Sequence, residues 1–199
     1  MLFSLCRKER EEGDIFIGEY LGREPKGRIL FLLDHYREFP EFLDLYRENA
    51  IRLMTAMREY ERKSKASIGM SVSNSGKKSS PTEAMAMEKI EVEDCFDKRK
   101  ITGEVIRDPG ELKLISTAVH EWVLMNKDYE LLGGFMDMMK PEDRDLFISY
   151  ISRKKRIADI AEEYCLAWES ANKKMYRIRK ALIDRMLPWM NDYKVSCSE

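Results

Sequence analysis

The chain has 199 residues, of which 44% are hydrophobic and 36% charged, with a formal net charge of −1. Ten glycines and six prolines are too few for a β-sandwich or barrel, which turns every ~8–12 residues, and the composition excludes a collagen-like, mucin-like or fully disordered chain. Taken whole, the near-neutral charge argues against a histone-like nucleic-acid binder.

The opening MLFSLCRKEREEGD has an apolar run that stops at Cys6, short of the ~7–15 residues of a signal-peptide core. No stretch approaches the ~18 apolar residues of a membrane span. A cytoplasmic protein without a membrane partner is therefore expected. Cys6, Cys95, Cys165 and Cys197 form no CxxC pair, and His35 and His120 lie far apart. Thiols scattered in this way read as small apolar or surface residues, so no metal and no cofactor is expected. His120-Glu121 lacks a second histidine four residues on, and no GxxxxGK[ST], GxSxG or GxGxxG occurs, so the chain does not read as an enzyme. Glu88, Glu91, Glu93 and Asp94 read as a charged helix face.

The expected fold class is all-α. A helical leading part, 1–63, is irregular to about Gly27. RILFLLDHYREF then suggests a short helix, and Pro40 suits the first turn of the next. From Glu41 to Lys63 the apolar positions Leu43, Tyr46, Ala50, Leu53, Met57 and Tyr60 step by three and four. Such a heptad seam either packs inside its own chain or forms a homodimer through the 41–63 helix. The segment 64–80 holds seven of the fourteen serines and reads as a linker. Central helices occupy 81–139. One starts at Pro81-Thr82-Glu83 and runs to about Lys100. Gly103 and Asp108-Pro109-Gly110 break the pattern. A long helix with Leu112, Ile115, Val119 and Trp122 on one stripe follows, and Gly133-Gly134 should interrupt it. IGEYLG and ITGEVI are short β candidates left unassigned.

Residues 140–187 carry the strongest pattern. Pro141, Glu142 and Asp143 open a helix with Leu146, Phe147, Tyr150 and Ile151 on its apolar face. A basic turn, Arg153 to Arg156, precedes a short helix with Ile157, Ile160, Ala161 and Tyr164 on one side. A longer helix starts near Ala167 or Trp168 and repeats Ala171, Met175, Ile178, Leu182 and Met186. A short helix, a tight turn and a longer basic helix make the helix-turn-helix layout. The second helix of such a unit buries one stripe and offers its N-terminal exposed side to the DNA major groove. Trp168, Glu169, Ser170, Asn172 and Lys173 lie there, where Asn can read adenine and Lys guanine. Lys174, Arg177, Arg179 and Lys180 suit phosphates, as do Lys154, Lys155 and Arg156 of the basic turn. This span holds 12 basic against 8 acidic residues, and residues 1–139 hold 22 against 26. The positive charge is thus concentrated in the module whose pattern suggests double-stranded DNA. A tail, 188–199, follows.

RDLFISYI and IADIAEEYCLAWESANKKMYRIRKAL together resemble region 4 of bacterial sigma factors, the part that reads promoter −35 elements. The match rests on Tyr150, Ile160-Ala161 and the Ala171, Met175, Ile178, Leu182 ladder. It looks most like phage and prophage regulators of the ArpU and RinA type, and SNSGKKSSPTEAMAMEKIE is similar to the Ser-rich, PTE-containing stretch of those proteins. The resemblance implies a regulator of phage late genes with RNA polymerase as a further partner. Two positions depart from the pattern: Cys165 stands at the turn position often filled by Gly, and Ala167 where Ser or Thr usually opens the recognition helix. Either the turn is wider here or the motif serves another role. The alternative function is a non-enzymatic phage assembly or adaptor protein, either a small-terminase-like DNA-recognition subunit or a helical protein-binding module.

Overall fold

The computed structural model describes residues 16–67, 81–101 and 109–190. Every regular element among them is a helix. Helix α1 covers 16–21. It is followed by α2 (Pro25–Asp34), α3 (Phe39–Ser67), α4 (Pro81–Asp97), α5 (Pro109–Asp137), α6 (Pro141–Ile151), α7 (Ile157–Glu163) and α8 (Trp168–Met190). Prolines stand at the first position of α2, α4, α5 and α6, where the missing N–H would have no intrahelical partner and the fixed φ suits the helix. No helix among the described residues is long and apolar enough to cross a membrane.

The chain divides into two compact units, Met1–Leu43 with Leu124–Glu199, and Asp44–Val123. The divisions fall inside α3 and α5 instead of at a linker. The Asp44–Val123 unit has an apolar core in which Ala50, Ile51 and Met54 of α3 meet Val92, Cys95 and Phe96 of α4 and Ile115 and Val119 of α5. Trp122 stands edge-on to Phe96, ring centroids 5.8 Å apart. Beside this core the largely covered Arg58 pairs with the equally covered Glu111 of α5 and, at 3.6 Å, with Glu91 of α4. Arg47 pairs with Asp97, and the Tyr46 hydroxyl donates to Glu121.

The other unit packs α2 and α6 and α7 on α8. Its aromatic layer stacks Phe16 on Phe42 at 3.7 Å and Phe39 on Tyr129 at 5.7 Å. Burial, with Tyr36 adjoining, raises the Tyr129 hydroxyl pKa to about 12. This unit also buries charge. The Tyr20 hydroxyl donates to Asp128 Oδ2 at 2.7 Å, Arg28 Nη1 lies 3.4 Å from the same oxygen, and Arg28 Nη2 reaches the Met190 carbonyl at 3.4 Å. Burial pushes the Tyr20 hydroxyl far above its ordinary pKa, with Asp128 adding to the effect. Burial likewise raises the Asp128 carboxyl against the opposing pull of Arg28.

Several sequence expectations are corrected. Residues before Gly27 are not irregular throughout: α1 and the start of α2 precede it, and IGEYL, one of the β candidates, lies in α1. The buried stripe of α3 drifts from the heptad seam. Ile51 and Met54 are buried, whereas Leu53 is 56% and Tyr60 75% exposed. A straight helix of 3.6 residues per turn lags a strict 3.5 repeat by ~20° per heptad, so a packed face slides off the seam within two heptads. Residues 64–67, read as linker, continue α3; 68–80 lie outside the described residues, as do 1–15, 102–108 and 191–199. Gly133 and Gly134 do not interrupt α5, which runs to Asp137. A helical Gly costs only ~1 kcal/mol relative to Ala, and the buried neighbours Leu132 and Met136 hold the helix across them. Helix α8 does not end at Leu187. It passes Pro188 to the buried Met190, whose carbonyl is the one that Arg28 reaches.

The helix ends explain the scarcity of glycine. After α4, α6 and α7 the chain turns through Arg99 (φ 50°), Arg153 (φ 55°) and Cys165 (φ 49°). Each turn carries the same two bonds, with the positive-φ residue donating to a carbonyl three back and the next residue to one five back. The pairs are Arg99 N–H to Phe96 O with Lys100 N–H to Cys95 O, Arg153 to Tyr150 with Lys154 to Ser149, and Cys165 to Glu162 with Leu166 to Ala161. These are Schellman caps, which usually place Gly where this chain has Arg, Arg and Cys.

Candidate nucleic-acid interface

Helices α6, α7 and α8 follow one another with short connections, and α8 carries the surface of interest. Its buried stripe is Ala171, Met175, Leu182, Met186 and Met190, with Ile178 half-buried. The first four were read from the spacing. In α7 the buried residues are Ile160 and Ala161. Tyr164 is 40% exposed and stands in the turn, not on the helix's apolar side, because the cap begins one residue earlier. Leu146, Phe147 and Ile151 form the buried side of α6.

The α7–α8 connection is tight. The Leu166 N–H bonds the Ala161 carbonyl at 2.8 Å, so the wider turn considered from Cys165 is not what forms. Cys165 takes the left-handed conformation instead, at a steric cost that Gly would not incur. Ala167 then stands where an N-cap residue would. Its carbonyl accepts from the Ser170 and Ala171 N–H groups at 2.9 and 3.1 Å, but its methyl side chain offers no oxygen to the first free N–H groups of α8. Helix α7 is better served. The Asp159 carboxylate accepts the Arg156 backbone N–H at 2.8 Å and pairs with the guanidinium at 3.1 Å. These bonds hold the Asp159 pKa below the usual carboxylate range.

The twelve residues singled out in the sequence fall into two groups. Trp168, Glu169, Ser170, Asn172, Lys173, Arg177 and Lys180 are exposed on α8, and Lys154 is exposed in the α6–α7 turn. Lys154, Lys173, Arg177 and Lys180 make no ion pair with another described residue. Taking ~100° per residue, Arg177 and Lys180 lie within about 40° of Lys173, so the three form one stripe opposite the buried face. The remaining four cations are engaged. Lys155 pairs with Glu163, which raises its pKa, and Arg156 pairs with Asp159. Lys174 Nζ lies 2.7 Å from Asp143 Oδ1 of α6 and sits over the Tyr164 ring. Arg179 Nη2 lies 2.7 Å from Asp34 Oδ1 at the end of α2.

Two features escaped the sequence reading. Tyr176, 67% exposed, stands beside the stripe between Asn172 and Lys180; its place outside the buried ladder was a signal available from spacing alone. The carboxylates Asp34 and Asp143 came from distant segments, for which periodicity carries no signal. Of the acidic cluster on α4, Glu91 pairs with Arg58, Glu93 with Lys89 and Asp94 with Lys98, as on a charged helix face. Among the described residues no group of His, Cys, Asp and Glu is placed to hold a metal.

The chain matches no family model, and no curated protein or solved structure matches it.

Proposed function

We propose that α6–α8 act as a sigma region-4-like helix-turn-helix that binds double-stranded DNA through α8, in a transcriptional regulator of phage or prophage late genes. One observation carries the reading. A long helix buries a single apolar stripe and leaves Lys173, Arg177 and Lys180, on the opposite side, without an ion-pair partner among the described residues, behind a tight turn from a short helix. Unpaired cations in a row can neutralise backbone phosphates without first breaking an internal ion pair. Asn172, Lys173 and the aromatic side chains of Trp168 and Tyr176 supply hydrogen-bonding and apolar groups for base edges. RNA polymerase is the second partner that the resemblance to region 4 implies.

The test is fluorescence anisotropy of the full chain with a mixed-sequence duplex at two salt concentrations. Non-specific binding with a Kd of about 10⁻⁴–10⁻⁶ M near physiological salt is expected, falling steeply as salt rises. Replacing Lys173, Arg177 and Lys180 together by Ala should weaken binding and flatten the salt dependence by nearly three counterions. No binding of the wild type at low salt overturns the reading and favours the helical adaptor role.

A further inference from the structure

The two engaged cations of α8 stand on opposite shoulders of the free stripe. Measured from Lys173 at ~100° per residue, Lys174 lies about 100° to one side and Arg179 about 120° to the other. A helix lying in a groove presents its shoulders to the two phosphate walls, and on this helix each shoulder cation is held by a carboxylate from another element. Asp143 takes Lys174 at 2.7 Å, with side chains 32% and 36% exposed, and Asp34 takes Arg179 at 2.7 Å, with side chains 54% and 32% exposed. Both pairs face water, where ion pairs are weak and exchangeable. The two carboxylates differ in one respect. Asp143 stands in the first turn of α6, where the helix dipole favours an anion. Asp34 is the last residue of α2, where the dipole disfavours one, and two guanidinium groups compensate it: Arg179 at the carboxylate and Arg153, whose Nη2 donates to the Asp34 carbonyl at 3.4 Å.

We infer that Asp34 and Asp143 are intramolecular competitors of DNA phosphate, masking Arg179 and Lys174 until phosphates displace them. The inference rests on the DNA-binding reading above. The free stripe supplies the initial attraction, and the shoulder cations engage only by exchanging a carboxylate for a phosphate. Such exchange lowers affinity for any duplex that does not bring phosphates to both shoulders.

The experiment compares wild type, Asp34→Asn, Asp143→Asn and the control Asp145→Asn by anisotropy with the same duplex across a salt series. Asp145 pairs with its neighbour Arg144, not with α8, and its substitution changes net charge by the same amount. Unmasking predicts several-fold tighter binding by each of the first two variants. It also predicts a steeper dependence of log K on log salt, by up to about 0.9 for each cation released, with the control slope unchanged. Wild-type binding with all four slopes equal overturns the masking while leaving the DNA-binding reading intact, and so does weaker binding by Asp34→Asn and Asp143→Asn. Absence of wild-type binding overturns both. Circular dichroism melts accompany each variant; should one fail to fold, the other decides.

Discussion

The two compact units solve the same packing problem with different interiors. Asp44–Val123 is held by an apolar cluster, and Arg47 and Arg58 beside it form ion pairs that keep partial access to water. The unit that carries α8 encloses Tyr20, Arg28 and Asp128, with side chains essentially out of reach of water, and it contains the three buried polar residues found among the described ones, Arg28, Asp128 and Ser152. The contrast teaches where single substitutions do harm. An apolar core loses stability roughly in proportion to the volume removed. A buried charge pair fails asymmetrically: loss of one partner strands the other, whereas loss of both can be nearly neutral.

The largest expected effect follows from that asymmetry. Asp128→Ala should lower stability by about 3–5 kcal/mol in urea unfolding, because Arg28 is left buried without its anion. The combined change Tyr20→Phe, Arg28→Met, Asp128→Leu should recover most of the loss. A triple variant as unstable as the single one would remove the distinction between the two interiors. In the apolar unit, Ile115→Val should cost only about 0.5–1.5 kcal/mol, as expected for one buried methylene.

Smaller effects test the turn before α8. Ala167→Ser supplies the missing cap oxygen and should stabilise by about 1 kcal/mol. Cys165→Gly relieves the positive φ and should stabilise by up to about 1 kcal/mol. A loss of stability in either variant would contradict the cap geometry. Gly134→Ala, at a helical position with nothing within 4 Å of the added methyl group, should stabilise by about 0.5–1 kcal/mol.

The pH dependence separates two aspartates of the same unit. Asp159 has a lowered folded pKa, so its contribution to stability is present above the ordinary carboxylate range and is lost as pH falls through the folded value. Asp128 has a raised one. Its contribution is fully present below the unfolded value and is lost as pH rises through the folded value. A carboxyl-carbon NMR titration should find Asp159 titrating below an ordinary Asp and Asp128 above it; the reverse order would show that the Arg28 ion pair outweighs burial.

Legibility in the sequence followed the range of the interactions. The Ala171, Met175, Leu182, Met186 ladder and the all-helical class were readable because helical period is a local property. Helix ends were harder. Three of them lack the usual Gly, and Arg99, Arg153 and Cys165 give no warning of a positive φ. The candidate site was half legible. Its exposed stripe followed from the ladder by geometry. The state of its cations did not, since Lys174 and Arg179 depend on carboxylates 31 and 145 residues away.

By itself the sequence determined that the chain is helical, which face of α8 is buried, and that positive charge gathers in residues 140–187. Only the tertiary structure decided that Arg28 and Asp128 share an interior with Tyr20, that α5 runs through two glycines, and that Lys174 and Arg179 are held by carboxylates. The physical reason is that periodicity reports each residue's position on its own helix. The cost of burying a charge, and the availability of a cation to a ligand, depend on partners that only the folded chain brings within a few ångströms.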